Sequence, residues 1–191
     1  MQLNRIWVFL APLLWGIATA SAADNCAPTS PDGLGPFFVS GMPVTTSLVR
    51  SNRSGEPMVV LGKVLNAANP NQPVAAARLE AWQTDGEGHY FPESNGPASR
   101  YKDSELDLRG TLVTDQNGNY RYDSLVPGAY FPRPKHIHYV ITAAGYKQLV
   151  TQHYLGEMGQ LPQVPCRSGI IDRSTGSAVF NAPPIYLEPI Q

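Results

Sequence analysis

His136-Ile137-His138-Tyr139-Val140-Ile141-Thr142-Ala143 and Lys147-Gln148-Leu149-Val150-Thr151-Gln152-His153-Tyr154 flank the short break Ala144-Gly145-Tyr146. β-Branched and aromatic residues on both sides of a glycine turn predict an antiparallel hairpin. Working outward, residues 58–65 (MVVLGKVL) and 78–83 (RLEAWQ) also read as strands, joined by the turn-rich stretch 66–76 (NAANPNQPVAA). Residues 111–114 and 120–122 flank Asp115-Gln116-Asn117-Gly118, whose Asn-Gly tip predicts a second hairpin. A last strand is expected at 178–180 or 185–187, and a short helical turn fits 104–108. Nowhere do apolar residues recur at i, i+3, i+4, i+7 between two caps. Seven or eight short strands with frequent turn signals predict an all-β sandwich.

Composition agrees. The 191 residues leave room for one domain, and 17 Gly with 18 Pro suit a turn-rich fold better than a helical bundle. Fourteen Lys and Arg against fifteen Asp and Glu give a net charge of −1. With no basic field to gather phosphates, nucleic acid is excluded as an expected partner. All four His lie between positions 89 and 153, and all nine Tyr between 90 and 186. Imidazoles and phenols are therefore concentrated in the second half.

The first 22 residues, MQLNRIWVFLAPLLWGIATASA, carry one basic residue, an uncharged run from Ile6 to Ala20, and the small-x-small ending Ala20-Ser21-Ala22. They read as a secretory signal peptide, which predicts export to the periplasm or medium and no stable membrane span after cleavage. Residues 23–57, rich in Pro, Ser, Thr and Gly, read as an extended arm, and residues 58–191 as the β domain. Cys26 and Cys166 are the only cysteines. An even pair in an oxidising compartment suggests one disulfide tying the arm to a late loop.

Chemistry concentrates in Pro127-Gly128-Ala129-Tyr130-Phe131-Pro132-Arg133-Pro134-Lys135-His136-Ile137-His138. Residues two apart on a strand share a face, so His136 and His138 can converge on one metal ion. A 2-His-1-carboxylate iron(II) centre wants an acid soon afterwards, but Ile141 and Thr142 stand there. Zinc or copper on the His pair would want a further His or an acid, for which His89 and His153 are available. Phenols are nearer at hand: Tyr130 precedes the pair, and Tyr90 follows Trp82 and Gly88. A phenol with an ordinary pKa near 10 becomes a ligand at neutral pH only beside a strongly charged cation such as iron(III). Trp82 reads as core packing and His89 as pointing away from Tyr90's face.

The stretches 79–90 (LEAWQTDGEGHY), 112–139 (LVTDQNGNYRYDSLVPGAYFPRPKHIHY) and 149–154 (LVTQHY), with Gly35-Pro36-Phe37-Phe38 in the arm, resemble the intradiol ring-cleavage dioxygenases. That family includes protocatechuate 3,4-dioxygenase and the catechol 1,2-dioxygenases. The resemblance implies a β-sandwich of the intradiol type, here without the helical N-terminal domain of the catechol members. It implies non-haem Fe(3+) held by Tyr90, Tyr130, His136 and His138, with Tyr90 and His136 equatorial and Tyr130 and His138 axial. Arg133 matches an active-site arginine, Gln152 a polar residue beside substrate, and Tyr130 the ligand that departs when substrate binds. It implies a small catechol-type aromatic and O2 as substrates, a muconate-type dicarboxylate as product, and room for a homo-oligomer. The stretch after Tyr90, Phe91-Pro92-Glu93-Ser94, departs from the family pattern. A non-catalytic transthyretin-like or ligand-binding sandwich is the alternative, with no metal expected.

Overall fold

A computed structural model describes residues 26–191; the expected signal peptide lies outside them. The chain is almost wholly strand and loop. Its strands, in order, are β1 (Val39–Ser40), β2 (Pro57–Asn66), β3 (Asn69–Pro73), β4 (Arg78–Trp82), β5 (Gly96–Pro97) and β6 (Arg109–Val113). They continue with β7 (Asn119–Leu125), β8 (His136–Thr142), β9 (Leu149–Gly156), β10 (Ser168–Asp172), β11 (Ala178–Asn181) and β12 (Ile185–Leu187). Two 3-10 turns, Ala98–Arg100 and Asp103–Glu105, are the helical segments among the described residues. The second stands close to the turn expected at 104–108. No helix among the described residues is long and apolar enough to cross a membrane.

Two layers close on one core. The first runs β6-β4-β8-β9-β10, and the second is built on the long β2, which pairs with β7, β11, β12 and β3. Strand β10 joins them, lying parallel to β9 and antiparallel to β11. The inward residues alternate as a half-buried strand requires. Val60 and Val64 of β2, Tyr120 and Tyr122 of β7, Leu79 of β4, Ile137, Tyr139 and Ile141 of β8, and Phe180 of β11 meet in one apolar cluster.

The β8–β9 hairpin forms as expected, with Tyr139 opposite Thr151. The Asp115–Gly118 turn also forms, closed by Asp115 N–H to Asn119 O (2.9 Å) and Gly118 N–H to Asp115 O (3.0 Å). Its flanks do not make a hairpin. β6 pairs with β4 and β7 with β2, so this turn is a corner that carries the chain from one layer to the other. Four strands were not anticipated: the two-residue β1 and β5, β10, and β3, an exposed edge strand with two prolines inside the predicted turn. Both 178–181 and 185–187 are strands, where one was expected.

The outer face of the first layer is covered as well. β8 is buried at six of its seven positions, because the arm lies across it. Asp32 N–H donates to Val150 O (2.9 Å), the Thr151 hydroxyl to Ser30 O (3.0 Å), and Trp82 Nε1 to Pro36 O (3.1 Å). The Cys26–Cys166 disulfide fastens the start of this run. Phe37 and Phe38 pack there against a second apolar group of Trp82, Tyr90 and Val140.

Candidate metal centre

His136 and His138 leave β8 on this covered outer face, opposite the sandwich core, while Ile137 and Tyr139 point inward. Two loops bring the phenols to them. Residues 83–90 follow β4 and residues 126–135 precede β8, and they cross backbone to backbone: Gly128 N–H donates to Asp85 O at 2.6 Å. A Cβ on Gly128 would stand 2.4 Å from Gly88 N, so only glycine permits this approach. The crossing sets Tyr90, at the end of one loop, beside Tyr130 in the other.

The four side chains converge. Tyr90 Oη lies 2.9 Å from His138 Nε2, 3.4 Å from His136 Nε2 and 3.3 Å from Tyr130 Oη. Tyr130 Oη is 3.4 Å from His136 Nε2, and the two imidazole Nε2 atoms are 3.0 Å apart. Five of the six donor pairs are therefore in contact. The sixth, Tyr130 with His138, makes no hydrogen bond among the described residues.

Protonation explains what this cluster is suited to. His136 Nδ1 sits 2.6 Å from Pro134 O. A carbonyl only accepts, so that nitrogen carries the hydrogen and Nε2 presents a bare lone pair. Burial, opposed in part by that bond, lowers the His136 pKa. Burial and then the charge-repelling neighbours His136 and Arg133 hold His138 well below the ordinary imidazole value. Both rings are thus neutral at pH 7. Burial, then the Tyr130 hydroxyl, pushes Tyr90 far above the ordinary phenol range. Two neutral imidazoles, the reluctant phenol of Tyr90 and the hydroxyl of Tyr130 crowd together with no carboxylate among them, and this is an arrangement that a small, highly charged cation would relieve.

The surroundings fix the rings. Trp82 stacks on His138, with centroids 4.6 Å apart and planes at 9°. Gly35, at φ +75°, approaches the Cε1 edge of the same ring so closely that a Cβ there would meet Cε1 at 2.3 Å. Phe37 lies 5.3 Å from the Tyr90 ring. Arg109, 1% exposed, donates to Phe37 O (2.7 Å), Pro92 O (3.1 Å) and Asp107 O (3.3 Å), binding arm, post-Tyr90 turn and β6 entry together. Burial brings its pKa down to about 10, so it remains a cation at neutral pH.

Arg133 and Gln152 stand on the same side of the layer. Arg133 Nη2 donates to Gln152 Oε1 and to Tyr154 Oη (3.0 Å), and Gln152 Nε2 donates to Gly33 O (2.8 Å). Tyr130 and Arg133 are also bridged through their backbones. All six residues expected at the site are thus neighbours. The two spare histidines are elsewhere. His89 is exposed beside Asp85 and Glu87, and His153 lies in the sandwich core against Tyr139 and Phe180. Trp82 is buried as expected, but it packs against a site histidine and not in the main core. Tyr154, Asp32 and Arg109 were not anticipated. Only Tyr154 carried a usable signal, since it stands two residues from Gln152 on the same strand face.

Residues 34–132 match a family model described as Dioxygenase, a stretch that contains Tyr90 and Tyr130 and stops just short of Arg133. The chain belongs to the intradiol dioxygenase family. Within this intradiol family it is 28% identical over 170 residues to the hydroxyquinol 1,2-dioxygenase of Rhizobium sp. (strain MTP-10005), covering 76% of this chain and 55% of that one. It is 30% identical over 164 residues to the catechol 1,2-dioxygenase of Candida albicans, covering 73% and 51%. The chain spans about half the length of these curated relatives. A solved dioxygenase domain, part of a dioxygenase carbohydrate-binding protein fusion from Streptomyces sp. SirexAA-E, is 29% identical. It superposes with a TM-score of 0.66 over 85% of this chain and 99% of that domain. The intradiol sandwich expected from the sequence is therefore the fold found.

Proposed function

We propose that this chain is an exported intradiol dioxygenase. On this reading it cleaves a small catechol-type aromatic with O2 between the two hydroxyl-bearing carbons, giving a muconate-type dicarboxylate. The observation that carries the reading is the convergence of Tyr90 Oη, Tyr130 Oη, His136 Nε2 and His138 Nε2, with no carboxylate in the set. Two phenols and two neutral imidazoles fit non-haem iron(III), a hard cation that favours phenolate oxygen. Tyr90, Tyr130, His136 and His138 are the residues that would hold it. Iron(III) bound there would supply Lewis acidity toward a catechol-type ring.

The chain's own residues do the rest. His136 is held in its ligating tautomer by Pro134 O, and His138 in its orientation by Trp82. Tyr90 is enclosed, whereas Tyr130 is only partly buried and precedes the solvent-facing turn at Phe131 and Pro132. Tyr130 is accordingly the phenol free to leave and to accept a catechol proton at its Oη. Arg133 places a fixed guanidinium where negative charge develops on the substrate, and the surrounding burial keeps that interaction strong. Gln152 orients the guanidinium and offers an amide to substrate oxygen.

Location is part of the proposal. The apolar N-terminal run ending in Ala20-Ser21-Ala22 and the Cys26–Cys166 pair support a product that begins at Ala23 and works outside the cytoplasm. Mass spectrometry of protein recovered from the medium or periplasm should find that terminus.

The visible spectrum tests the site and the substrate class together. Iron-loaded protein should be coloured by phenolate-to-iron charge transfer, and the band should move when catechol is added without oxygen. Y90F should lose most of the band. A colourless protein carrying one iron per chain refutes the proposal.

A further inference from the structure

The hydroxyl of Tyr154 is the hub of a network that the site as described does not use. It donates to Asp32 Oδ2 at 2.7 Å and accepts from Arg133 Nη2 at 3.0 Å, and it lies 3.3 Å from Gln152 Oε1. Asp32 also accepts from Arg167 Nη1 and from its own neighbour Gly33 N–H. Gly33 in turn supplies the carbonyl that holds Gln152 Nε2. Arg167 follows Cys166, and Asp32 follows Cys26 by one turn of arm, so the disulfide and the Arg167–Asp32 ion pair close a ring through two distant stretches of chain. Everything that aims Arg133 therefore traces back to two adjacent arm residues: Asp32 through Tyr154, and Gly33 through Gln152.

We propose that Asp32 is the positioning residue for Arg133, acting through Tyr154, and that the disulfide-anchored arm is thereby a working part of the active site. The proposal rests on the dioxygenase reading for the role of Arg133. Physically, a guanidinium has several rotamers of similar energy, and two acceptors of fixed position select one of them. Tyr154 serves as a fixed acceptor because its hydrogen goes to Asp32 Oδ2 at 2.7 Å, in preference to the longer contact of 3.3 Å with Gln152 Oε1. Without Asp32 the hydroxyl turns, its lone pairs lose their direction, and Arg133 is no longer confined. Asp32 touches none of Tyr90, Tyr130, His136 or His138, so removing it should disturb charge placement and spare the metal.

The test compares D32A, D32N and Y154F in the iron-loaded full chain, with catechol as the probe. D32A and Y154F should keep the iron content and the charge-transfer band of the parent. Their kcat should fall on the order of 100-fold, the scale of a catalytic group displaced by about an ångström, with KM changed far less. D32N retains an oxygen that accepts from Tyr154 and should recover most of the loss. Crystal structures of metal-free D32A and Y154F should show Arg133 drawn away from Gln152. If D32A does not fold, Y154F, which lacks only one oxygen, decides. A kcat within twofold of the parent in Y154F, or Arg133 unmoved in the crystals, overturns the proposal. Lower melting temperatures with kcat intact would also overturn it, by reducing the arm to a structural strap. If the parent itself turns over no catechol, the dioxygenase reading has failed, and the crystallographic position of Arg133 still decides this one.

Discussion

Gly35→Ala should damage the site more than its size suggests, and the structure says by how much. Gly35 sits at φ +75°, and an added Cβ would stand 2.3 Å from His138 Cε1 and 2.9 Å from Nδ1. Relaxed carbon contacts lie near 3.5–4.0 Å, so ring and arm must part by about 1 Å or more. Movement of the ring is restricted by Trp82, stacked on it at 4.6 Å. The arm cannot recede without losing the Trp82 Nε1 bond to Pro36 O, one residue along. Forcing extra volume into such a site costs about 1–3 kcal/mol. The left-handed backbone adds about 1–2 kcal/mol for any residue with a Cβ. Gly41→Ala separates the two effects, since Gly41 has φ +76° and nothing within 4 Å of its would-be Cβ. Denaturant melts of the metal-free proteins should therefore show G41A losing about 1–2 kcal/mol and G35A about 2–5 kcal/mol. Iron titration followed by the visible band should show G35A binding at least about tenfold more weakly than G41A, the equivalent of 1.4 kcal/mol. Equal melts and equal titrations for the two variants would refute the reasoning.

Three further outcomes follow from groups outside the ligand set. His153 is fully buried with no hydrogen-bond partner on either nitrogen, and burial brings its pKa down to about 3. The unfolded chain takes up this proton below about pH 6.5 and the native one only near 3, so its stability contribution is complete above 6.5 and is lost as pH falls. Unfolding free energy should decline by up to about 1.4 kcal/mol per pH unit across that window, and H153L should flatten the profile there. Arg109→Met leaves one buried and two partly buried carbonyls without their donor and should lower stability by about 2–4 kcal/mol in urea melts, with Arg109→Lys recovering only part because one ammonium cannot span all three. Replacing Cys26 and Cys166 together by Ala opens a 140-residue loop, and a melt under non-reducing conditions should show a loss of about 2–5 kcal/mol.

The parts of the site that could be read from sequence are those whose geometry is local. His136 and His138 share a face because they are two apart on one strand, and the hairpin that follows is written in β-branched residues around Gly145. The Asp115–Gly118 turn misleads for a complementary reason. Asn-Gly specifies how tightly the chain reverses, but not which strand each flank then pairs with. Leu112 is claimed by Leu79 of β4 and Tyr122 by Val60 of β2, choices made by the whole core. Strands β3 and β10 escape because neither NPNQP nor SGIID carries a period-2 pattern; β3 is held by the preceding β2, and β10 by β9 and β11.

The arm is the most instructive case, because its composition is that of a linker. Its segment 30–37 offers the site mostly backbone: Ser30 O to Thr151, Gly33 O to Gln152, Pro36 O to Trp82 and Phe37 O to Arg109. A carbonyl is present at every residue, so no pattern of side chains announces this work. The chemistry shows only at the other end of each bond, in four hydrogen-bonding side chains carried by β4, β6 and β9. A search for functional residues by type finds those donors and misses their acceptors. Besides Gly35-Pro36-Phe37-Phe38, Asp32, a carboxylate among small residues and prolines, marks the arm as more than a tether, and its role becomes visible once Tyr154 and Arg133 are seen beside it.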